Sequence, residues 1–147
     1  MKAFLQRVHS ASVSVGEEQI SKISKGVLVL LGVTHSDTEA DARYVAQRIC
    51  ELRIFEDASG KTNLSLEDVG GSVIVVSQFT LYADTKHGRR PGFSAAAKSE
   101  KANGLYECTL AFLRERLGHD RVGAGRFGAE MTVDLSNDGP FSVEIET

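Results

Sequence analysis

Reactive and metal-binding side chains are scarce in this chain. Its 147 residues include two cysteines, four histidines and two prolines. Cys50 and Cys108 lack the paired spacing of a zinc site, and both fall in helix-like patterns where reduced core thiols are expected rather than a disulfide. No two of His9, His35, His87 and His119 stand four residues apart, which excludes the helical two-histidine zinc motif. There is no Gly-x-Ser-x-Gly elbow, so nothing nominates the members of a serine-centred triad. Neither a metal nor a cofactor is expected. No apolar run approaches the ~20 residues needed to cross a bilayer. The opening Met1–Arg7 lacks the apolar stretch of a signal peptide. These absences point to a cytoplasmic protein with no membrane partner.

An excess of positive charge is missing too. Seventeen basic residues against twenty acidic ones give a net charge of −3. That argues against gripping long nucleic acid, DNA included, by bulk electrostatics. One dense basic run exists, Lys86-His87-Gly88-Arg89-Arg90. It reads either as a solvated loop or as a local patch that touches a few phosphates.

What is present is a pattern of strands with two helices. Residues 2–15 alternate loosely, residues 16–18 turn the chain, and residues 19–23 return as a hairpin partner. Residues 26–33 are apolar throughout, as in a strand covered on both faces. Ser36 with Glu39 predicts a capping box for a first helix, with Ala40, Tyr44, Val45, Ile49 and Leu52 on its stripe. Asp57 to Lys61 is a polar turn. Ser94 is expected to cap a second helix that buries Ala102, Tyr106, Leu110, Leu113 and Leu117 and stops at Gly118. Strands resume over 121–124, 131–135 and 141–145. The sum is an α/β, α+β-like single compact domain over residues 1–147. It is mostly antiparallel and barrel-like, with two helices packed on the sheet.

Three segments carry possible chemistry. Val73 to Asp84 begins as a buried β-branched strand and breaks into Ser77, Gln78, Phe79 and Thr80, hydrogen-bonding groups around one aromatic. This is either the floor of a site or a strand becoming half-exposed, with its hydroxyls bonded to its own backbone. Gly123 to Gly128 matches G-x-G-x-x-G, but the period-2 pattern that follows is a strand, whereas dinucleotide binding needs a helix N-terminus there. Asn137-Asp138-Gly139-Pro140 is rich in turn formers. A Gly-Pro pair offers two carbonyls and, if cis, could point both the same way.

Together, Ser77-Gln78-Phe79-Thr80-Leu81 and Asn137-Asp138-Gly139-Pro140-Phe141-Ser142 resemble the two signature motifs of D-aminoacyl-tRNA deacylases. Leu5-Gln6-Arg7-Val8, Tyr82-Ala83-Asp84-Thr85-Lys86 and Phe127-Gly128-Ala129-Glu130-Met131 look like that family as well. The second motif departs from the family's usual Gly-Pro-Val-Thr, since Phe141 and Ser142 follow Pro140. The resemblance implies hydrolysis of the ester of a D-aminoacyl-tRNA, or of glycine wrongly attached to tRNA, by a homodimer with active sites at its interface. It implies catalytic roles for Ser77, Gln78, Phe79 and Thr80 and substrate-binding roles for Gly139, Pro140, Arg7, Asn137, Phe127 and Met131. The Gly-Pro bond would be cis, Arg7 would help to hold it, and it would serve the partner's active site. The 3′ acceptor end of tRNA is the implied partner, with its 2′-hydroxyl assisting catalysis and Lys86, Arg89 and Arg90 meeting its phosphates. Two alternatives stay open: a non-catalytic module that binds tRNA ends, and a general esterase with Thr80 as nucleophile.

Overall fold

In the computed structural model, which describes residues 1–147, one long strand serves two layers. β1 (Lys2–Val15) first turns Ala3 and Leu5 toward one hydrophobic cluster, then turns Val8, Ala11 and Val13 toward another. Strict alternation would keep Ala11 and Val13 on the face of Leu5. The switch comes from irregular pairing between Val8 and Ser10, where an extra residue on β1 inverts the side-chain phase.

β2 (Glu18–Ile23) and β3 (Gly26–Gly32) pair antiparallel with successive halves of β1. A short hairpin of β4 (Phe55–Glu56) and β5 (Thr62–Leu64) brackets the polar turn, whose Asp57 carboxylate accepts the N–H groups of Ser59 and Lys61. β6 (Ser72–Ser77) then runs parallel to β3, and β7 (Val122–Ala124) runs parallel to β6. β8 (Thr132–Glu146) pairs antiparallel along β1. The sheet order β2-β1-β3-β6-β7 curls until its ends meet. There the Ser21 hydroxyl donates to the Ala124 carbonyl (2.6 Å) and accepts the Ala124 N–H (3.0 Å), a side chain standing in for a strand pair. The result is a nearly closed, barrel-like sheet.

Alternation explains how both faces of the central strands become buried. Val27, Val29, Leu31, Val73 and Val75 meet the helices, while Leu28, Ile74 and Val76 fill the barrel. The two helices, α1 (Glu39–Glu51) and α2 (Ser99–Leu117), pack on one another and cover the outer cluster. All five stripe residues expected for α2 are buried, and Gly118 ends it at a φ of 88°. No helix is long and apolar enough to cross a membrane.

Both helix starts differ from expectation. α1 is capped by Thr38 rather than Ser36, with the Asp41 carboxylate accepting the Thr38 N–H (2.8 Å) and hydroxyl (2.7 Å). Asp37 turns inward instead, accepting the Thr34 N–H and the α-ammonium of Met1, which delays the helix. The buried stripe shifts to Ala42, Val45, Ala46, Ile49 and Cys50, leaving Ala40 and Tyr44 exposed. α2 starts at Ser99 rather than near Ser94, because residues 93–96 form a separate tight turn, closed by the Ala96 N–H donating to the Phe93 carbonyl (3.1 Å), and the chain is then tied to the end of β3. Thr34 and Ala96 form a β-bridge, and the Ala97 N–H donates to the Val33 carbonyl (2.9 Å). The two strands expected over 131–135 and 141–145 are one strand, β8, interrupted by a bulge rather than a turn.

Candidate active site

β6 delivers the first group of site residues. Ser77 pairs with Leu31 at the last position of the parallel ladder, and the Gln78 N–H extends it by donating to the Leu31 carbonyl (2.8 Å). The chain then folds into a 3-10 turn, Phe79–Tyr82, over the end of β3. Gly32 permits that fold-back: a Cβ there would lie 3.1 Å from the Gln78 carbonyl oxygen and 3.2 Å from the Tyr82 ring. The turn's first internal bond runs from the Leu81 N–H to the Gln78 carbonyl, so the N–H groups of Phe79 and Thr80 have no acceptor within it. The Gln78 side-chain amide donates to the Thr80 hydroxyl, tying the two polar side chains together.

This turn borders a cleft of about 590 Å³. Ser77, Gln78 and Phe79 form one side, and Phe127 and Met131 form part of the other. The loop after β7 reaches the cleft by continuing the sheet, since the Gly125 N–H donates to the Val75 carbonyl (2.9 Å). Beneath it, the buried Tyr106 hydroxyl donates to the Val75 carbonyl (2.9 Å), with the Gly125 carbonyl at 3.2 Å. Burial pushes that phenol up to about 12, so Tyr106 remains a neutral donor that pins the cleft wall. The glycine-rich segment thus leads through a loop into β8, not into a helix.

The sequence reading missed a third wall, made by Phe93, Ala96, Ala97, Lys98 and Ser99. Its only signal was the Ala95-Ala96-Ala97 run, whose small side chains leave room beside an aromatic residue. Loop 93–97 is held by side chains as well as backbone. Thr34 donates its hydroxyl to the Ala95 carbonyl, and a His35 ring nitrogen lies 2.8 Å from the Ser94 carbonyl oxygen. None of the side chains lining the cleft is a histidine or a carboxylate.

The remaining expected residues gather elsewhere. Gln6 pairs with Ser142 and Val8 with Asn137, so two steps on β1 face five on β8. The surplus bulges outward as Asp138-Gly139-Pro140-Phe141 around a cis Gly139-Pro140 bond. Arg7, only 5% exposed, grips this bulge from beneath. Its Nε donates to the Asp138 carbonyl (3.1 Å) and lies 3.2 Å from a carboxylate oxygen of Asp138. A terminal nitrogen donates to the Ile54 carbonyl (2.6 Å), and the guanidinium lies 4.9 Å from the Phe141 ring centre. Gly139 has a φ of +130°, and a Cβ there would stand 2.8 Å from the Phe141 nitrogen. Gly139 and Pro140 are exposed, and nearby Asn137 Oδ1 is buried without a hydrogen-bond partner.

The two clusters are far apart within one chain. Arg7 aligns with Val27 and through it with Val73, four residues before Ser77 on β6. That is roughly 13 Å along the strands, and the three strand spacings from the bulge on β8 through β1 and β3 to β6 add about 14 Å across them. The structure therefore gathers Ser77, Gln78, Phe79, Phe127 and Met131, while Thr80, the next residue of the turn, is exposed and does not line the cleft. Arg7, Asn137, Gly139 and Pro140 form a separate surface device.

Comparison with known proteins bears on the whole chain. A sequence model described as D-Tyr-tRNA(Tyr) deacylase matches residues 4–146. A D-aminoacyl-tRNA deacylase of Bacillus pumilus (strain SAFR-032) is 54% identical over 147 residues, covering all of this chain and 99% of that protein. One of Thermus aquaticus is also 54% identical, covering all of this chain and 95% of its own. Among solved structures, a c-Myc DNA Unwinding Element Binding Protein superposes with a TM-score of 0.95 at 42% identity, covering all of this chain and 99% of that one. A probable eukaryotic D-amino acid tRNA deacylase shares the fold, with a TM-score of 0.85 at 19% identity over 98% of this chain and 97% of that one.

Proposed function

This chain belongs to the D-Tyr-tRNA(Tyr) deacylase family, and from that premise we propose that it is a hydrolase that cleaves the ester between a D-amino acid, or glycine, and the terminal adenosine of tRNA. The observation that carries this reading is the pairing of an uncovered polar floor, Ser77 to Thr80, with a projecting cis Gly139-Pro140 bulge on the same chain. Each is half of a site. In a two-fold dimer the bulge of one protomer enters the cleft of its partner, and the same contact repeats at the second site. The partner also supplies a donor for Asn137 Oδ1, an atom whose isolation costs about 1–3 kcal/mol.

Chirality follows from main-chain geometry. The Gly139 and Pro140 carbonyls accept hydrogen bonds from the substrate's α-ammonium and fix its direction. With the ester carbonyl held at the floor, an L side chain is driven into the bulge, whereas a D side chain points into open space. Glycine has nothing to collide. Selection by exclusion tolerates many D side chains, because no pocket has to fit them. Arg7 keeps the bulge stiff through Asp138 and Phe141.

Water adds to the ester carbonyl, and the developing oxyanion is met by the N–H groups of Phe79 and Thr80. One such donor is worth about 3–4 kcal/mol. The bond to the ribose oxygen then breaks, and that oxygen leaves with a proton. With no histidine or carboxylate among the side chains lining the cleft, the tRNA's own 2′-hydroxyl orients and activates the water. Phe127 and Met131 pack against the terminal adenosine. The exposed cations Lys86, Arg89 and Arg90 meet phosphates of the acceptor end. A net charge of −3 with its cations gathered locally suits a short RNA end better than a long duplex. The enzyme acts in the cytoplasm.

Incubation with D- and L-tyrosyl-tRNA in parallel tests the reading. Release of tyrosine from the D form alone is expected. Binding without turnover would instead favour a tRNA-end binding module. A terminal 2′-deoxyadenosine separates the two hydrolytic schemes: the rate falls if the 2′-hydroxyl assists, and persists if Thr80 is the nucleophile.

A further inference from the structure

Resting on the deacylase reading, we propose that Phe79, Phe93 and the loop between Asp84 and Gly92 form a track for the unpaired 3′ tail of the tRNA, on which a base upstream of the aminoacylated adenosine stacks. Large apolar side chains are exposed at only four places, Tyr44, Phe79, Phe93 and Leu135. Two of the four meet at the mouth of the cleft. Phe79 (52% exposed) and Phe93 (39% exposed) stand edge to face, with ring centres 5.0 Å apart and planes at 71°. The pair contributes little to the hydrophobic clusters, and both rings line the cleft that takes the terminal nucleotide. Nucleobases stack on such rings without regard to sequence, because every base presents a π-face.

Charge beside the rings fits the same ligand. Asp84 and Gly92 exchange backbone hydrogen bonds of 2.7 and 2.9 Å, closing a small loop whose last residue directly precedes Phe93. The loop is thereby fixed in relation to the aromatic pair. It carries Lys86, Arg89 and Arg90, none of which lies within 4 Å of a carboxylate. Only its His87 faces one, Asp84 at 4.0 Å. Lys98, on the cleft rim, is likewise unpaired, and Glu100 is the one acidic residue in the first turn of α2. A stacking surface flanked by unmatched cations is what a single strand requires, with its bases splayed and its phosphates exposed. Phe79 follows Gln78 directly, so a base stacked beside it belongs within a nucleotide or two of the scissile ester.

The test compares kcat/KM on D-tyrosyl-tRNA with that on 3′-O-(D-tyrosyl)adenosine, which lacks every upstream nucleotide. Phe93→Ala should lower the tRNA-to-adenosine ratio roughly tenfold or more, and Phe93→Trp should keep it near the wild-type value. Replacing Lys86, Arg89 and Arg90 together by alanine should flatten the log–log salt dependence on tRNA by about 2, near 0.7 for each phosphate no longer neutralised. An unchanged ratio in Phe93→Ala, whether both rates fall together or neither does, overturns the track, as does an unchanged salt slope in the triple variant. A wild-type enzyme that cleaves neither substrate overturns the deacylase reading itself, which is a separate failure.

Discussion

At the scale of single residues, the proposed site depends on main-chain groups held in place by a few side chains. Gly139 is the sharpest case, since its φ of +130° and the Phe141 nitrogen 2.8 Å from an added Cβ leave no room for alanine. Gly139→Ala should therefore deform the bulge at a cost of about 1–3 kcal/mol. Hydrolysis of D-tyrosyl-tRNA should drop at least about tenfold in a protein whose circular dichroism is unchanged. Thr80 gives the opposite expectation. Its hydroxyl receives only the Gln78 amide, and the group assigned to catalysis is its N–H. Thr80→Ala should lose less than about tenfold in kcat, whereas loss of all activity would identify the hydroxyl as the nucleophile.

At the scale of elements, the cap of α1 gives a pH-dependent stability. Hydrogen bonds from the Thr38 hydroxyl and N–H hold the Asp41 carboxyl below its usual range. Because the folded value lies below the unfolded one, the stabilisation is complete above the unfolded pKa of about 4. It is lost as pH falls through the depressed folded value. Asp41→Ala should cost about 1 kcal/mol near pH 7 by urea titration, and the gap to wild type should close in acid. This cap also shows what the sequence conceals. Ser36-x-x-Glu39 and Thr38-x-x-Asp41 are both plausible boxes, and only the tertiary burial of Asp37 decides between them. The delayed start of α2 has the same origin, a long-range bridge between Thr34 and Ala96. Strands 2–15 and 26–33 and the buried stripe of α2 were legible because periodicity is local. The parallel order of β3, β6 and β7, the phase switch in β1 and the continuity of β8 across Gly139-Pro140 were not, because each depends on a distant partner. Within the site, the Ser77–Thr80 break in the strand pattern was readable on its own. The wall built by Phe93 was not, since nothing local distinguishes it from a solvated loop.

At the scale of the whole molecule, the Ser77–Thr80 turn and the Gly139-Pro140 bulge lie apart on one chain, and the proposed shared site requires a second copy to bring them together. Two weakened variants separate a shared site from a self-contained one. Phe79→Pro removes one proposed oxyanion donor at the first position of the turn, where proline is tolerated, and should cost about a hundredfold. Gly139→Ala spoils the bulge. If each site joins the floor of one protomer to the bulge of the other, a mixed dimer of these variants contains one wholly intact site. Co-refolding the two in equal amounts should therefore restore about a quarter of the wild-type rate on D-tyrosyl-tRNA, since half of the dimers are mixed and each has one good site of two. A mixture that stays at the residual activity of the separate variants would contradict the shared site.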